Sequence, residues 1–202
     1  MNHIPSLKTA TLLIATIITA FLAEAKQAIT HSFLGVGKAN QVVIVGEDGK
    51  VQWRYGAPAS DGWVLPSGNV LLALYGSKDF PNGGVGEIDR KTKKIVWSYK
   101  GQQKETSTVQ ALPSGKFLVA ELGPEPRALI INRKGKVLKT TPLQCQKKNA
   151  HMQTRMLRML PNGNYIAPHL LDFAVKEYDP NTGKVVATFP TDDRGRAKRD
   201  WP

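Results

Sequence analysis

Glu87-Ile88-Asp89-Arg90-Lys91-Thr92-Lys93-Lys94-Ile95-Val96-Trp97-Ser98-Tyr99, followed after a polar loop by Thr108-Val109-Gln110-Ala111-Leu112-Pro113-Ser114-Gly115, is the stretch that decides the fold. It reads as a strand, a polar turn, a strand, a loop and a further strand that ends in a Pro-Ser-Gly turn. The turn recurs as Leu65-Pro66-Ser67-Gly68, Leu112-Pro113-Ser114-Gly115 and Leu160-Pro161-Asn162-Gly163, about every 47 residues. A second landmark sits out of phase with it: Gly49-Lys50-Val51-Gln52-Trp53, Lys93-Lys94-Ile95-Val96-Trp97, Gly135-Lys136-Val137-Leu138-Lys139 and Gly183-Lys184-Val185-Val186-Ala187. Two landmarks alternating at one period of roughly 40–50 residues, with several short strands per unit, are the signature of β-propeller blades. The expected fold is all-β, a propeller of four-stranded antiparallel blades of about 45 residues each, in an incomplete ring.

The blades fall at residues 31–55 (partial), 62–99, 107–140 and 153–189. The first unit lacks its innermost strand. Asp48-Gly49 is the hairpin turn of that unit, because Asp-Gly readily takes the positive φ such turns require. One blade cannot bury both of its faces, so neighbours must stack. Three full blades and one partial blade fall at or below the usual four-blade minimum. Residues 190–202 form a basic, polar tail ending at Trp201-Pro202, where another blade would begin. The expectation is either a fragment of a longer propeller or a ring closed by a second copy.

The N-terminus reads as a signal peptide over residues 1–25. Lys8 supplies the positive charge, Thr9 to Ala23 is apolar, and Ala23-Glu24-Ala25 is a small-x-small cleavage site. The apolar run is short for a bilayer span, which needs about 20 residues, so a cleaved signal is the expectation and an uncleaved anchor the alternative. The expected location is therefore periplasmic or extracellular. The single cysteine, Cys145, excludes an intramolecular disulfide and reads as a buried small hydrophobe.

Two segments carry a family resemblance. Glu87 to Trp97 and Glu177-Tyr178-Asp179-Pro180-Asn181-Thr182-Gly183-Lys184-Val185-Val186 follow an Asp-x-x-Thr-Gly-Lys-x-x-Trp pattern, with Lys93 in place of the Gly and Ala187 in place of the Trp. On these residues the chain resembles the PQQ-like repeats of the quinoprotein alcohol dehydrogenase-like superfamily. It is also similar to exported bacterial propellers with a Leu-Gln-Cys-Gln…Ala-His-Met-Gln-Thr-Arg segment, here Leu143 to Arg155. Those relatives continue past a Trp-Pro with further blades. The resemblance implies the propeller and no cofactor. The quinone enzymes hold pyrroloquinoline quinone (PQQ) with Ca²⁺ and often a vicinal disulfide, which one cysteine cannot form. No Glu, Asn and Asp set here is placed as Ca²⁺ ligands.

The least repeat-like segment, Leu143 to Arg158, holds Cys145, His151, Gln153, Arg155 and Arg158. Aligning the Leu-Pro-x-Gly turns sets Arg155 level with Ser107 and Ser60, and Arg158 level with Gln110 and Trp63. These positions start each blade's inner strand or the loop feeding it, which sets them towards the central channel. The candidate ligand-binding residues are therefore Asp61, Trp63, Gln110, His151, Gln153, Arg155 and Arg158. A His and an Arg there bind an anion by charge-assisted hydrogen bonds. They also suit group transfer, with histidine as nucleophile or base, as in propeller arylsulfotransferases. The third reading is that they only pin a long inter-blade loop. His169 reads as a satisfied, half-buried histidine, and Trp53 and Trp97 as inter-blade packing. No histidine pair has zinc-ligand spacing.

The formal net charge is +12. No acidic residue occurs from Pro126 to Leu171, while nine are Lys or Arg. Such a run is either a solvated face or a patch for polyanions such as an acidic polysaccharide or an anionic membrane surface. The export signal argues against nucleic acid. The expected function is a binding or scaffold module for a partner or small anion. The alternatives are a group transferase or hydrolase using His151 and Arg155, and a truncated product without independent function.

Overall fold

Val70 to Leu74 is a strand with no exposed face, all five residues being buried. A strand buried on both sides needs a neighbour on each, and stacked blades provide them. The computed structural model describes residues 31–37, 41–146 and 149–191. The segment read as an export signal and the tail from residue 192 lie outside the described residues.

Among the described residues, four antiparallel sheets follow one another along the chain, three with four strands and one with three. Blade 1 is β1 (Phe33–Gly35), β2 (Val42–Val45) and β3 (Val51–Tyr55). Blade 2 is β4 (Ala59–Val64), β5 (Val70–Leu74), β6 (Gly84–Ile88) and β7 (Ile95–Lys100). Blade 3 is β8 (Glu105–Ala111), β9 (Phe117–Leu122), β10 (Arg127–Ile131) and β11 (Val137–Pro142). Blade 4 is β12 (Arg158–Met159), β13 (Tyr165–His169), β14 (Ala174–Tyr178) and β15 (Val185–Pro190). Among the described residues, blade 1 has no counterpart of β4, the innermost strand.

The core lies between blades. Val42, Ile44 and Trp53 of blade 1 pack on Val70, Leu72 and Leu74 of blade 2. From the other side of the same strand, Leu71 and Ala73 meet Phe117, Val119, Leu129 and Ile131 of blade 3. Leu118, Ala120 and Ile130 then meet Tyr165, Ala167 and Tyr178 of blade 4. The period-two alternation of side chains thus sends every second residue to a different neighbour.

Polar bonds repeat with the blades. Trp53 Nε1 donates to Arg90 O and Trp97 Nε1 to Arg133 O, both at 2.8 Å, tying each outer strand to the next blade's outer turn. Where the third unit has Lys139 instead, its Nζ donates to Asn181 Oδ1 at 2.6 Å. The outer turns need a left-handed residue, and Gly49, Gly135 and Gly183 supply it with φ of 73, 76 and 69°. Lys93, at the same position, takes φ 58° with a side chain.

Two inner strands start earlier than the sequence suggests, at Ala59 and Glu105 rather than Gly62 and Thr108. The inner strand of blade 4, which the turn alignment sets to begin near Arg155, is only Arg158–Met159. The cause is local geometry. Register shifts between Ala59 and Asp61 and between Thr106 and Thr108 make Ser60 and Ser107 extra, bulged residues. In blade 4 Met156, one residue past the position level with Ser60 and Ser107, is left-handed, with φ 51°, and the strand does not extend back through it.

Candidate functional site

In an antiparallel blade alternate connections emerge on opposite sides. The Leu-Pro-x-Gly turns and the outer turns lie on one side. The other side carries the β5–β6, β9–β10 and β13–β14 loops and the connections between blades. On that second side, residues from three blades converge. Tyr75 follows β5, Glu105 opens β8, and His151 sits in a 3-10 turn over Ala150–Met152 whose end is capped by Asn149, its side chain accepting from His151 N at 3.1 Å. Arg155 lies four residues further on.

Glu105 is the hub of this cluster. Arg155 Nη1 donates to Glu105 Oε1 at 2.7 Å, and His151 Nδ1 lies 3.0 Å from Glu105 Oε2. Arg155 Nη2 also donates to the His151 carbonyl and lies 2.6 Å from Nδ1. Nδ1 therefore donates to Glu105 when it carries a proton and accepts from Arg155 when it does not. The Tyr75 ring stands 6.1 Å from the His151 ring. Burial raises the Tyr75 pKa above its ordinary value, the Arg155 charge opposes this and the Glu105 charge adds to it. The imidazole side chain is 36% exposed and that of Glu105 only 13%, so the acid is sheltered while the histidine reaches solvent.

A second cluster lies on the inner strands. Asp61 on β4 accepts Arg158 Nη1 and Nη2 at 2.8 and 2.9 Å, a two-toothed contact between blades 2 and 4. The same carboxylate accepts the N–H of Val109 at 3.2 Å and of Gly62 at 3.0 Å. The Arg158 guanidinium lies 5.3 Å above the Trp63 ring, and Trp63 Nε1 donates to Val109 O at 2.6 Å. Gln110 Oε1 accepts from Met159 N at 2.8 Å. Asp61, Trp63 and Arg158 thus meet across blades 2 and 4, with Gln110 of blade 3 bonded to the neighbouring Met159 N, while His151 and Arg155 meet at Glu105.

Gln153 joins neither cluster. It is buried, with Nε2 donating to Gly123 O at 2.8 Å and Oε1 accepting from Gly123 N at 2.9 Å, so its amide is spent on one backbone unit. His169 is satisfied but fully buried rather than half-buried, with Nε2 2.7 Å from the Tyr178 hydroxyl and Nδ1 3.3 Å from Gln153 O. Burial, with the nearby Lys176 charge, pushes its pKa down to about 4. Cys145 is half-buried against the blade 3–4 core.

The basic run is far less positive in space than along the chain. Arg127 pairs with Glu121, Arg133 with Glu87, Arg155 with Glu105 and Arg158 with Asp61, every acid coming from outside the run. Glu105 and Tyr75 were not singled out by the sequence reading. Also on the loop side is a groove of about 540 Å³ lined by Asn82, Gln102, Gln103, Lys104, Pro124, Glu125 and Arg127. Among the described residues, no three His, Cys, Asp or Glu side chains gather to hold a metal ion. The carboxylates nearest the inner strands are spent on arginines, and this donor set does not fit the Ca²⁺ that a bound quinone requires.

The sequence matches no protein-family model and no curated protein. Its likeness is to solved structures. A protein of unknown function from Bacteroides caccae has 24% identity, a TM-score of 0.68, and 81% of this chain aligned with 58% of its own. The WD40 β-propeller domain of Doa1 has 14% identity and a TM-score of 0.59 over 79% of this chain and 50% of that one. Virginiamycin B lyase from Staphylococcus aureus has 15% identity and a TM-score of 0.54 over 81% of this chain and 57% of that one. The chain spans between half and three-fifths of the length of these structures. At such identities the likeness concerns the fold, which is that of a β-propeller.

Proposed function

We propose that this chain is an exported propeller of the PQQ-like repeat kind, without bound quinone, that acts as a binding module for a small anion at the mouth of its inner strands. The repeat motifs at Glu87–Trp97 and Glu177–Ala187 support the family reading, and the Lys8 to Ala25 pattern supports export. The observation that carries the ligand reading is that Arg155 and His151 share one carboxylate, Glu105. With His151 protonated, two cations face one anion, and an incoming oxyanion restores the balance.

Calorimetric titration of the full chain with inorganic phosphate, sulfate and acetate tests this. Arg155→Met is expected to weaken binding by about tenfold or more, the effect of losing one charge-assisted bond. Glu105→Gln is expected to tighten it, because the competing internal anion is gone. Binding that ignores both substitutions, or that follows only the outer-turn lysines Lys134 and Lys136, contradicts the proposal.

A group transferase or hydrolase is the second reading, favoured by the Glu105 carboxylate 3.0 Å from His151 Nδ1, which would orient the imidazole. Turnover of an aryl sulfate or ester that disappears in a folded His151→Ala variant supports it. Turnover unchanged by that substitution excludes it.

A further inference from the structure

Glu87 and Glu177 occupy the same repeat position, as do Asn69 and Asn164, because both glutamates precede the outer turns at Asp89 and Asp179 and both asparagines close the Leu-Pro-x-Gly turns. In blade 2, Asn69 Nδ2 donates to Glu87 Oε1 at 2.8 Å, and the other oxygen of Glu87 takes Arg133 from the outer turn of blade 3. In blade 4, Asn164 Nδ2 donates to Glu177 Oε1 at 2.6 Å, joined by Asn162 at 3.3 Å. No Lys or Arg pairs with Glu177 among the described residues.

The surroundings repeat in the same way. Leu71, Ala73, Val85 and Tyr99 around Glu87 are all buried under blade 3. Their counterparts around Glu177 are Ile166, Pro168, Val175 and Phe189. The first three are half-buried, and Phe189 is 51% exposed. One apolar face, with one buried-type acid already oriented by an asparagine, is thus built to the same plan as an interface that is filled elsewhere in the molecule.

We propose that this face of blade 4 seats one further four-stranded blade whose turn between its third and fourth strands carries an arginine or lysine, which closes on Glu177 as Arg133 closes on Glu87. The occupant's inward face is apolar in the manner of Phe117, Val119, Leu129 and Ile131. Blade 1 of a second copy does not fit. Its outer turn, closed by Gly46 N to Lys50 O as blade 3's is by Asn132 N to Lys136 O, carries Glu47 where Arg133 stands. Head-to-tail pairing of copies would set Glu47 against Glu177, a like-charge contact that opposes docking.

The test uses the full chain carrying, after Pro202, a copy of its own residues 107–142, which includes Arg133. Hydrogen–deuterium exchange at Val185 to Phe189 is the readout. Seating of the appended blade is expected to slow exchange there by about tenfold or more. Glu177→Gln, or Gln at the appended copy's Arg133, reverses part of that protection, and the two together reverse no more than either alone. In the unextended chain Glu177→Gln is expected to change exchange at Val185 to Phe189 by less than about twofold, since the Gln amide oxygen still accepts from Asn164 and Asn162. Unchanged exchange, an appended blade that stays unfolded, or equal effects of Glu177→Gln with and without the extension would each overturn the proposal. So would light scattering that shows the unextended chain as a dimer already protected at Val185 to Phe189, since a second copy would then be the occupant.

Discussion

Asp61→Asn is the substitution that probes the inner strands most sharply. It preserves size and removes the charge that Arg158 contacts through both terminal nitrogens, at 2.8 and 2.9 Å. Breaking a fully buried pair from one side costs about 3–5 kcal/mol. The Arg158 side chain is 26% exposed and regains water when released, so the expected cost is nearer 2–3 kcal/mol. Arg158→Leu should cost less, about 1–2 kcal/mol, because Asp61 keeps the N–H groups of Val109 and Gly62, while the pair, the bond from Arg158 Nη1 to Leu157 O, the contact of Nη2 with Met156 Sδ and the contact with the Trp63 face are lost. The double variant should be more stable than the sum of the two losses predicts, by about 1–2 kcal/mol. Equilibrium urea unfolding of the four proteins, followed by tryptophan fluorescence, measures this coupling. Losses that add within about 0.5 kcal/mol would refute the reasoning, because Asp61 and Arg158 are 97 residues apart and have no other reason to interact.

Other outcomes follow from the same geometry. His169 must stay neutral in the folded state, with its pKa near 4 against an ordinary 6.5, so its contribution is intact above about pH 6.5, falls as pH drops towards 4 and is lost below that. The depression is equivalent to about 3 kcal/mol, and His169→Phe should remove most of the acid-side slope of a urea stability profile; a slope that survives the substitution would show that other groups set it. Gln153→Ala strands the buried N–H and carbonyl of Gly123 and should cost about 2–4 kcal/mol in the same assay, whereas a loss under 0.5 kcal/mol would mean the amide is dispensable. Lys93→Gly should stabilise by about 0.5–1 kcal/mol, since φ 58° is unfavourable for a side chain by more than glycine's extra unfolded-state freedom costs; a destabilised variant would contradict this.

The architecture was legible because turn chemistry is local. Each Leu-Pro-x-Gly and Gly-Lys turn places glycine where the backbone needs positive φ, and the spacing of those turns counts the blades. Aligning them also set Trp63, Gln110 and Arg158 at one level; Arg158 lies over the Trp63 ring, and Gln110 is bonded to the adjacent Met159 N. The ion pairs were not legible. Glu105 ends a polar loop and looks like any surface acid. Its partners His151 and Arg155 lie 46 and 50 residues later, brought to it only by the stacking of blades 3 and 4. The run from Pro126 to Leu171 reads as uniformly basic for the same reason, because its four arginines meet acids contributed by blades 2 and 3. The short β12 was hidden too. Nothing in the type of residue at Met156 announces a left-handed backbone, whereas a glycine would have.

The most direct test of the central claim is an NMR titration of the isotopically labelled full chain with inorganic phosphate at low ionic strength. The account predicts saturable shifts concentrated at Tyr75, Glu105, His151 and Arg155, drawn from three blades at once and abolished by Arg155→Met. Shifts scattered over the outer-turn lysines, or none at these four residues, would contradict it.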